Sequence, residues 1–331
     1  MAKAPTAFLG LALALGGALA LPSCASANDP ANDTATDPTS GLTLEAASTY
    51  TKTRYPIVLA HGLTGFRSLF GVLDYFFAIP SDLRSGGAQV FVTQVTPVAS
   101  AEQRGEQLLA QIEHIVATTG AGKVNLIGHS EGGLDARYVM AVRPDLIASL
   151  TTVATPHRGA DLADFFADNI DANGFSGAVL QAFGSAVGTV IGLLTGFQSS
   201  QDALGAVRSL SSAGAASFNQ RFPAGLASTR CGTPPTSAGG IALFSWSGAS
   251  VLTNVLDASD APLGLASLFY SEDSDGLVGR CSSRFGKVLR DNYSMNHLDE
   301  VNQLVGLTSI FETNPVSVFR AHANRLKNAG L

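Results

Sequence analysis

From Tyr55 onward, short apolar runs alternate with longer stretches whose apolar residues recur every three or four positions. Val124–Ile127 is a short, mainly apolar run, and it, Tyr55–Ala60, Ala88–Gln94 and Leu150–Ala154 each read as a strand. Between them, Ala101–Thr119 places Leu108, Leu109, Ile112, Ile115 and Val116 at helical spacing. Gly133–Val142 is a second helix-like stretch, and Val316–Leu326 is a third near the C-terminus, with Arg320–Lys327 as its polar face. Strands and helices alternating at these lengths predict a mostly parallel sheet with helices on both faces.

The ends and one interior stretch break this rhythm. Lys3, the apolar run Phe8–Leu21 and the small-residue site Ala25-Ser26-Ala27 together read as a secretory signal over 1–27. That run is shorter than the ~20 residues a spanning helix requires. Pro22 argues against taking Leu21–Cys24 as a lipid-attachment site. Residues 28–47, rich in Asp, Ala, Thr and Pro, read as a disordered leader, which leaves 48–331 as the folded domain. Within it, Gly174–Ser200 has no charged residue, and Gly184, Gly188, Gly192 and Gly196 recur every fourth position. Read literally this is a membrane-helix pattern, but one span would separate Ser130 from the late His and Asp residues. It fits better as part of a helical lid over about 161–200, in which each glycine costs ~1 kcal/mol relative to alanine and favours displacement at an oil–water interface. Phe66–Ile79, apolar and aromatic, is a candidate pocket mouth.

With 46% hydrophobic and only 14% charged residues, the chain is not disordered, and a net charge of −6 without a basic cluster argues against a nucleic-acid partner. Signal removal would also remove Cys24, leaving Cys231 and Cys281 in an oxidising compartment. One disulfide is the natural inference, with two buried thiols as the alternative.

The chemistry centres on Gly128-His129-Ser130-Glu131-Gly132, a G-x-S-x-G sequence between a strand and a helix. That context turns the pattern into a nucleophile elbow, a sharp turn that raises Ser130 above the sheet. The strand Tyr55–Ala60 leads into His61-Gly62-Leu63, so the N–H groups of Leu63 and Glu131 are the candidate oxyanion donors. In this arrangement the acid and the base follow the serine in that order. Of the downstream histidines, His157 comes too soon after Ser130 and His322 lies in the terminal helix, which leaves His297. Asp275, on a turn before an apolar run, is the favoured acid, with Asp273, Glu272, Asp257 and Asp260 as competitors.

The chain resembles the true lipases of Pseudomonas and Burkholderia, bacterial triacylglycerol lipase families I.1 and I.2. The likeness runs through Tyr55-Pro-Ile-Val-Leu-Ala-His-Gly-Leu, Val124-Asn-Leu-Ile-Gly-His-Ser and Ala154-Thr-Pro-His-Arg-Gly. It continues through Asn296-His-Leu-Asp-Glu-Val-Asn-Gln to the residues after His322. The resemblance implies an α/β-hydrolase fold and a serine lipase acting on triacylglycerols through an acyl-enzyme, which the signal segment would make secreted; a monomer is the expectation. It carries over Ser130, Asp275 and His297 as the triad, Leu63 and Glu131 as the oxyanion hole, and Cys231–Cys281 as the disulfide. It also implies one structural Ca²⁺ on Asp257, Asp299, Gln303 and the Leu307 carbonyl, and a membrane-anchored lipase-specific foldase as partner. Glu131 departs from the pattern, because those relatives usually have Gln or His there; its side chain is expected to point away from the site or to be hydrogen-bonded. A polyester depolymerase or broad-specificity carboxylesterase would use the same residues, and a non-catalytic binding protein would keep only the scaffold.

Overall fold

The computed structural model describes residues 48–63, 68–69, 73–97, 99–168, 170–171, 174–175, 205 and 207–331. The signal, the leader and most of the expected lid lie outside these residues. Seven strands form one sheet: β1 (Ile57–Ala60), β2 (Val90–Val92), β3 (Val124–His129), β4 (Ile147–Val153), β5 (Ser237–Ala238), β6 (Ile241–Gly248) and β7 (Lys287–Tyr293). Their spatial order is β7-β6-β4-β3-β1-β2, all parallel, with β5 antiparallel beside β6. The order reverses around β1, whose successor β2 lies on one side while β3 lies on the other. In such sheets the crevice at the carboxyl ends of the strands at the reversal is where ligands bind.

The strand sequences explain why the sheet is covered twice. Successive residues of a strand face opposite sides, and β1 sends Ile57 and Leu59 into one apolar cluster and Val58 and Ala60 into another. The first cluster is closed by α1 (Ile79–Ser85) and the C-terminal helix, which carries Phe319 and Ala323. The second is closed by α2 (Ala101–Thr119) and α3 (Glu131–Val142) through Leu108, Ile112, Ala136 and Val139. Both α2 boundaries match the sequence pattern. The Ser100 hydroxyl accepts the Gln103 N–H at its start, and Gly120, at φ 66°, ends it. The helices α4 (Asp161–Asp168), α5 (Ser212–Arg221) and α6 (Asp260–Ser267) follow, and α7 (Pro315–Asn328) ends the chain.

The helix α7 also fastens the beginning of the domain to its end. The Arg54 N–H donates to the Leu331 carbonyl at 2.7 Å, Asn324 donates to the Tyr50 carbonyl, and Lys327 donates to that of Thr49. Among the described residues, no helix is long and apolar enough to cross a membrane.

Cys231 and Cys281 are joined, with Cα atoms 4.8 Å apart. The bridge ties the segment after α5 to the loop preceding β7. Glu272 accepts the Cys281 N–H there, and Arg230 pairs with both Glu272 and Asp161. Closing a loop of 50 residues is worth about 4 kcal/mol through restriction of the unfolded chain. Replacing both cysteines with serine is therefore expected to lower the unfolding free energy by up to about 4 kcal/mol, read by denaturant titration at constant m-value.

Candidate active site

Strand β3 passes into α3 with Ser130 as the single residue between them. Ser130 has φ 54° and ψ −130°, a conformation that costs a non-glycine residue about 1–3 kcal/mol. Its N–H donates to the Val153 carbonyl of β4 at 2.8 Å. Three glycines make the turn possible by letting backbones meet. A Cβ at Gly128 would lie 2.3 Å from the Gly132 carbonyl oxygen, and one at Gly132 would lie 2.5 Å from that of His61. A Cβ at Gly62 would lie 2.7 Å from Ser130 Cβ. The carboxyl ends of β1 and β3 and the start of α3 thus converge on the serine, which is half-buried and reachable. Leu63 follows Gly62 at this junction. The Glu131 N–H belongs to the first turn of α3, where no intrahelical acceptor exists and the helix end is positive.

His297 and Asp275, 22 residues apart, meet next to this turn. His297 Nδ1 lies 2.8 Å from Asp275 Oδ2, and the His297 N–H donates to the Asp275 carbonyl. Asp275 Oδ1 accepts the N–H groups of Leu277 and Val278, so the carboxylate cannot rotate freely. Glu300, fully buried, accepts the Gly248 N–H. Burial first and the charge of Asp275 second hold its pKa well above the usual carboxylate range.

His129 connects the histidine to the serine turn. Its Nε2 lies 3.1 Å from the His297 carbonyl, and its ring stands 4.6 Å from the His297 ring. A carbonyl can only accept, so Nε2 carries the hydrogen and Nδ1 accepts the Tyr75 hydroxyl at 2.6 Å. The Tyr75 oxygen in turn accepts the Gly62 N–H. Burial pushes the His129 pKa well below its ordinary value, so this ring stays neutral beside His297. Among the described residues, no hydrogen bond joins Ser130 Oγ to His297.

The Glu131 carboxylate is neither turned to solvent nor hydrogen-bonded. It is fully buried, 3.3 Å from Arg104 Nε, and both of its oxygens lack a hydrogen-bond partner. Arg104 commits all five N–H groups elsewhere. Nε donates to Asp135, Nη1 to the carbonyls of Thr96 and Pro97, and Nη2 to those of His61 and Gly62. The other histidines are structural. His61, with its pKa pushed down to about 4 chiefly by burial, accepts the Val95 N–H. His157 is buried against Arg137 and Thr152. His322 contacts Thr151, and burial pushes it down to about 3.

Two of the residues suggested for calcium, Asp257 and Asp299, meet at Asn296, beside His297. The Asn296 side-chain amide donates to Asp257 and Asp260, and its N–H donates to Asp299. Burial, reinforced by the charges of Asp257 and Asp260, raises Asp299 to about 7. Among the described residues, none of these three carboxylates has an ion-pair partner. Gln303 is fully buried with neither amide atom hydrogen-bonded. Carboxylates without a cation partner and a buried amide oxygen without a donor are oxygen ligands of the type a divalent cation takes.

The α/β hydrolase fold family matches residues 55–287. A triacylglycerol lipase of Vibrio cholerae is 50% identical over 283 residues, covering 85% of this chain and 90% of its own. One from Burkholderia plantarii is 42% identical, covering 86% and 89%. The chain belongs to the triacylglycerol lipase family of α/β hydrolases. The Bacillus licheniformis lipase BlEst2 in its mature form shares the fold alone, with a TM-score of 0.59, 18% identity and coverage of 82% and 92%.

In this family member, sequence reasoning missed Arg104, Asp135, His129, Tyr75 and Glu300. Arg104 carried a signal: it occupies the same face of α2 as Leu108, Ile112 and Ile115, where a cation is out of place. Glu300 and the Tyr75–His129 contact join distant segments, and no spacing announces them. Gly62→Ala is expected to displace the serine turn and lower kcat/KM on a soluble ester about 100-fold, as misplacements near 1 Å do. Steady-state kinetics beside an unchanged circular dichroism spectrum would check this.

Proposed function

We propose that the chain is a secreted serine lipase that hydrolyses the carboxylic ester bonds of triacylglycerols through Ser130, His297 and Asp275. The observation that carries the reading is the His297–Asp275 pair at 2.8 Å, held next to the strained Ser130 turn at the reversal point of the sheet. His297 takes the Ser130 proton as Oγ attacks the ester carbonyl, and Asp275 steadies the imidazolium. The N–H groups of Leu63 and Glu131 receive the tetrahedral oxyanion. The alcohol leaves with the proton from His297, and water, activated by the same ring, releases the acyl group from Ser130.

Apolar residues exposed around the Asp257 loop, among them Leu252, Val255, Leu256 and Leu268, support contact with an oil–water interface. Asp257, Asp299, Gln303 and the Leu307 carbonyl would hold one Ca²⁺, whose charge would offset the carboxylates and fix the loop carrying His297. Family likeness supports a membrane-anchored foldase as partner, and residues 1–27 support export.

Ser130→Ala is expected to abolish ester hydrolysis with the fold intact, while an organophosphate labels Ser130 in the unaltered enzyme; retained activity overturns the triad. Hydrolysis rates against triglyceride chain length, above and below the solubility limit and beside polymer films, separate a lipase from an esterase or depolymerase. Excess chelator is expected to lower Tm by several degrees more than it alters kcat on a soluble ester, and an unchanged melt removes the calcium site.

A further inference from the structure

One guanidinium serves two carboxylates beneath the oxyanion site. Arg104, Glu131 and Asp135 are all buried, with side chains at most 1% exposed. Other charged and titratable groups reach this cluster from three directions. On α2, Glu102 pairs with Arg221 and Glu106 accepts the Tyr138 hydroxyl. His61, neutral, follows β1, and Tyr75, held well above its ordinary pKa by burial, precedes α1. None of these adds a second cation to offset the second carboxylate.

With every group ionised, the cluster would hold a net negative charge out of water, which is strongly unfavourable. One proton removes it, and the hydrogen bonds indicate where that proton sits. Asp135 Oδ2 accepts Arg104 Nε at 2.9 Å and lies 2.9 Å from Nη2, as an ionised carboxylate does. Glu131 receives nothing, because all five guanidinium N–H groups are committed elsewhere. Burial raises both carboxyls against the pull of Arg104.

We propose that Glu131 is kept as a neutral carboxylic acid, so that no negative charge faces the oxyanion while Arg104 positions the backbone of His61 and Gly62. Loss of its proton to solvent then acts as an alkaline switch that lowers turnover. This rests on the reading of Ser130 as nucleophile with the Leu63 and Glu131 N–H groups as oxyanion donors. Ionisation places a full charge on the side chain of a donor residue, in surroundings that screen it poorly. The same proton links to stability. Glu131 binds it in the fold at pH values where the unfolded chain has released it, so stability falls as pH rises from the ordinary glutamate pKa to the raised one.

The test measures kcat and KM on p-nitrophenyl butyrate below its solubility limit, from the acidic to the alkaline side of neutrality. It compares the unaltered enzyme, Glu131→Gln and Asp135→Asn. The unaltered enzyme is expected to lose at least about tenfold in kcat through an alkaline step, with KM little changed. Each variant leaves one carboxylate for one guanidinium, so each should lack the step, and Glu131→Gln should flatten the fall of Tm over the same range. If Glu131→Gln fails to fold, Asp135→Asn carries the comparison. No step in the unaltered enzyme, or the same step in the variants, overturns the proposal. Organophosphate labelling of the same samples separates the two readings. Labelling at Ser130 with no alkaline step, or with the same step in the variants, defeats this inference alone, and labelling elsewhere defeats the triad.

Discussion

The structure depends on one constraint: three backbones must touch around Ser130. The ends of β1 and β3 and the first turn of α3 approach so closely that a single Cβ at 62, 128 or 132 would collide with a neighbour. The strained φ of Ser130 persists because its N–H is bound to β4 and the next residue already begins a helix. A relaxed serine would need the helix to withdraw, and the two apolar clusters clamping the sheet oppose that. Packing far from the site thus sustains local strain at it.

Around this point the polar groups form two systems of different character. The Gly62–Tyr75–His129–His297 chain is neutral and directional, each donor determining the next, so it transmits orientation without adding charge. The Arg104 cluster sets one guanidinium against two carboxyl groups, so it acts through charge rather than orientation. Both end on the loop carrying His61 and Gly62. Geometry and electrostatics at the serine therefore share an anchor, and disturbing that loop alters both together.

Much of this was legible in the sequence. The apolar runs gave β1, β3 and β4 to within three residues, and the helical spacing in α2 gave both of its ends. The G-x-S-x-G context placed Ser130, and elimination among histidines reached His297. The strands β6 and β7 passed unread because they mix apolar residues with Ser, Arg and Asn rather than forming clean runs. The surroundings of Glu131 were hidden for a different reason. Its partner Arg104 is 27 positions upstream on another helix, and the shortage of hydrogen bonds appears only when all five donors of that arginine are counted in space.

The seam between the first and last described segments bears on how the chain comes to be folded. Strand β1 lies at the middle of the sheet, yet α7, at the opposite end of the chain, covers one of its faces, and Leu331 binds Arg54. A ribosome releases α7 after every strand of the sheet. Until then only α1 shields that apolar side of β1, so the central layer of the growing polypeptide is completed only when α7 arrives.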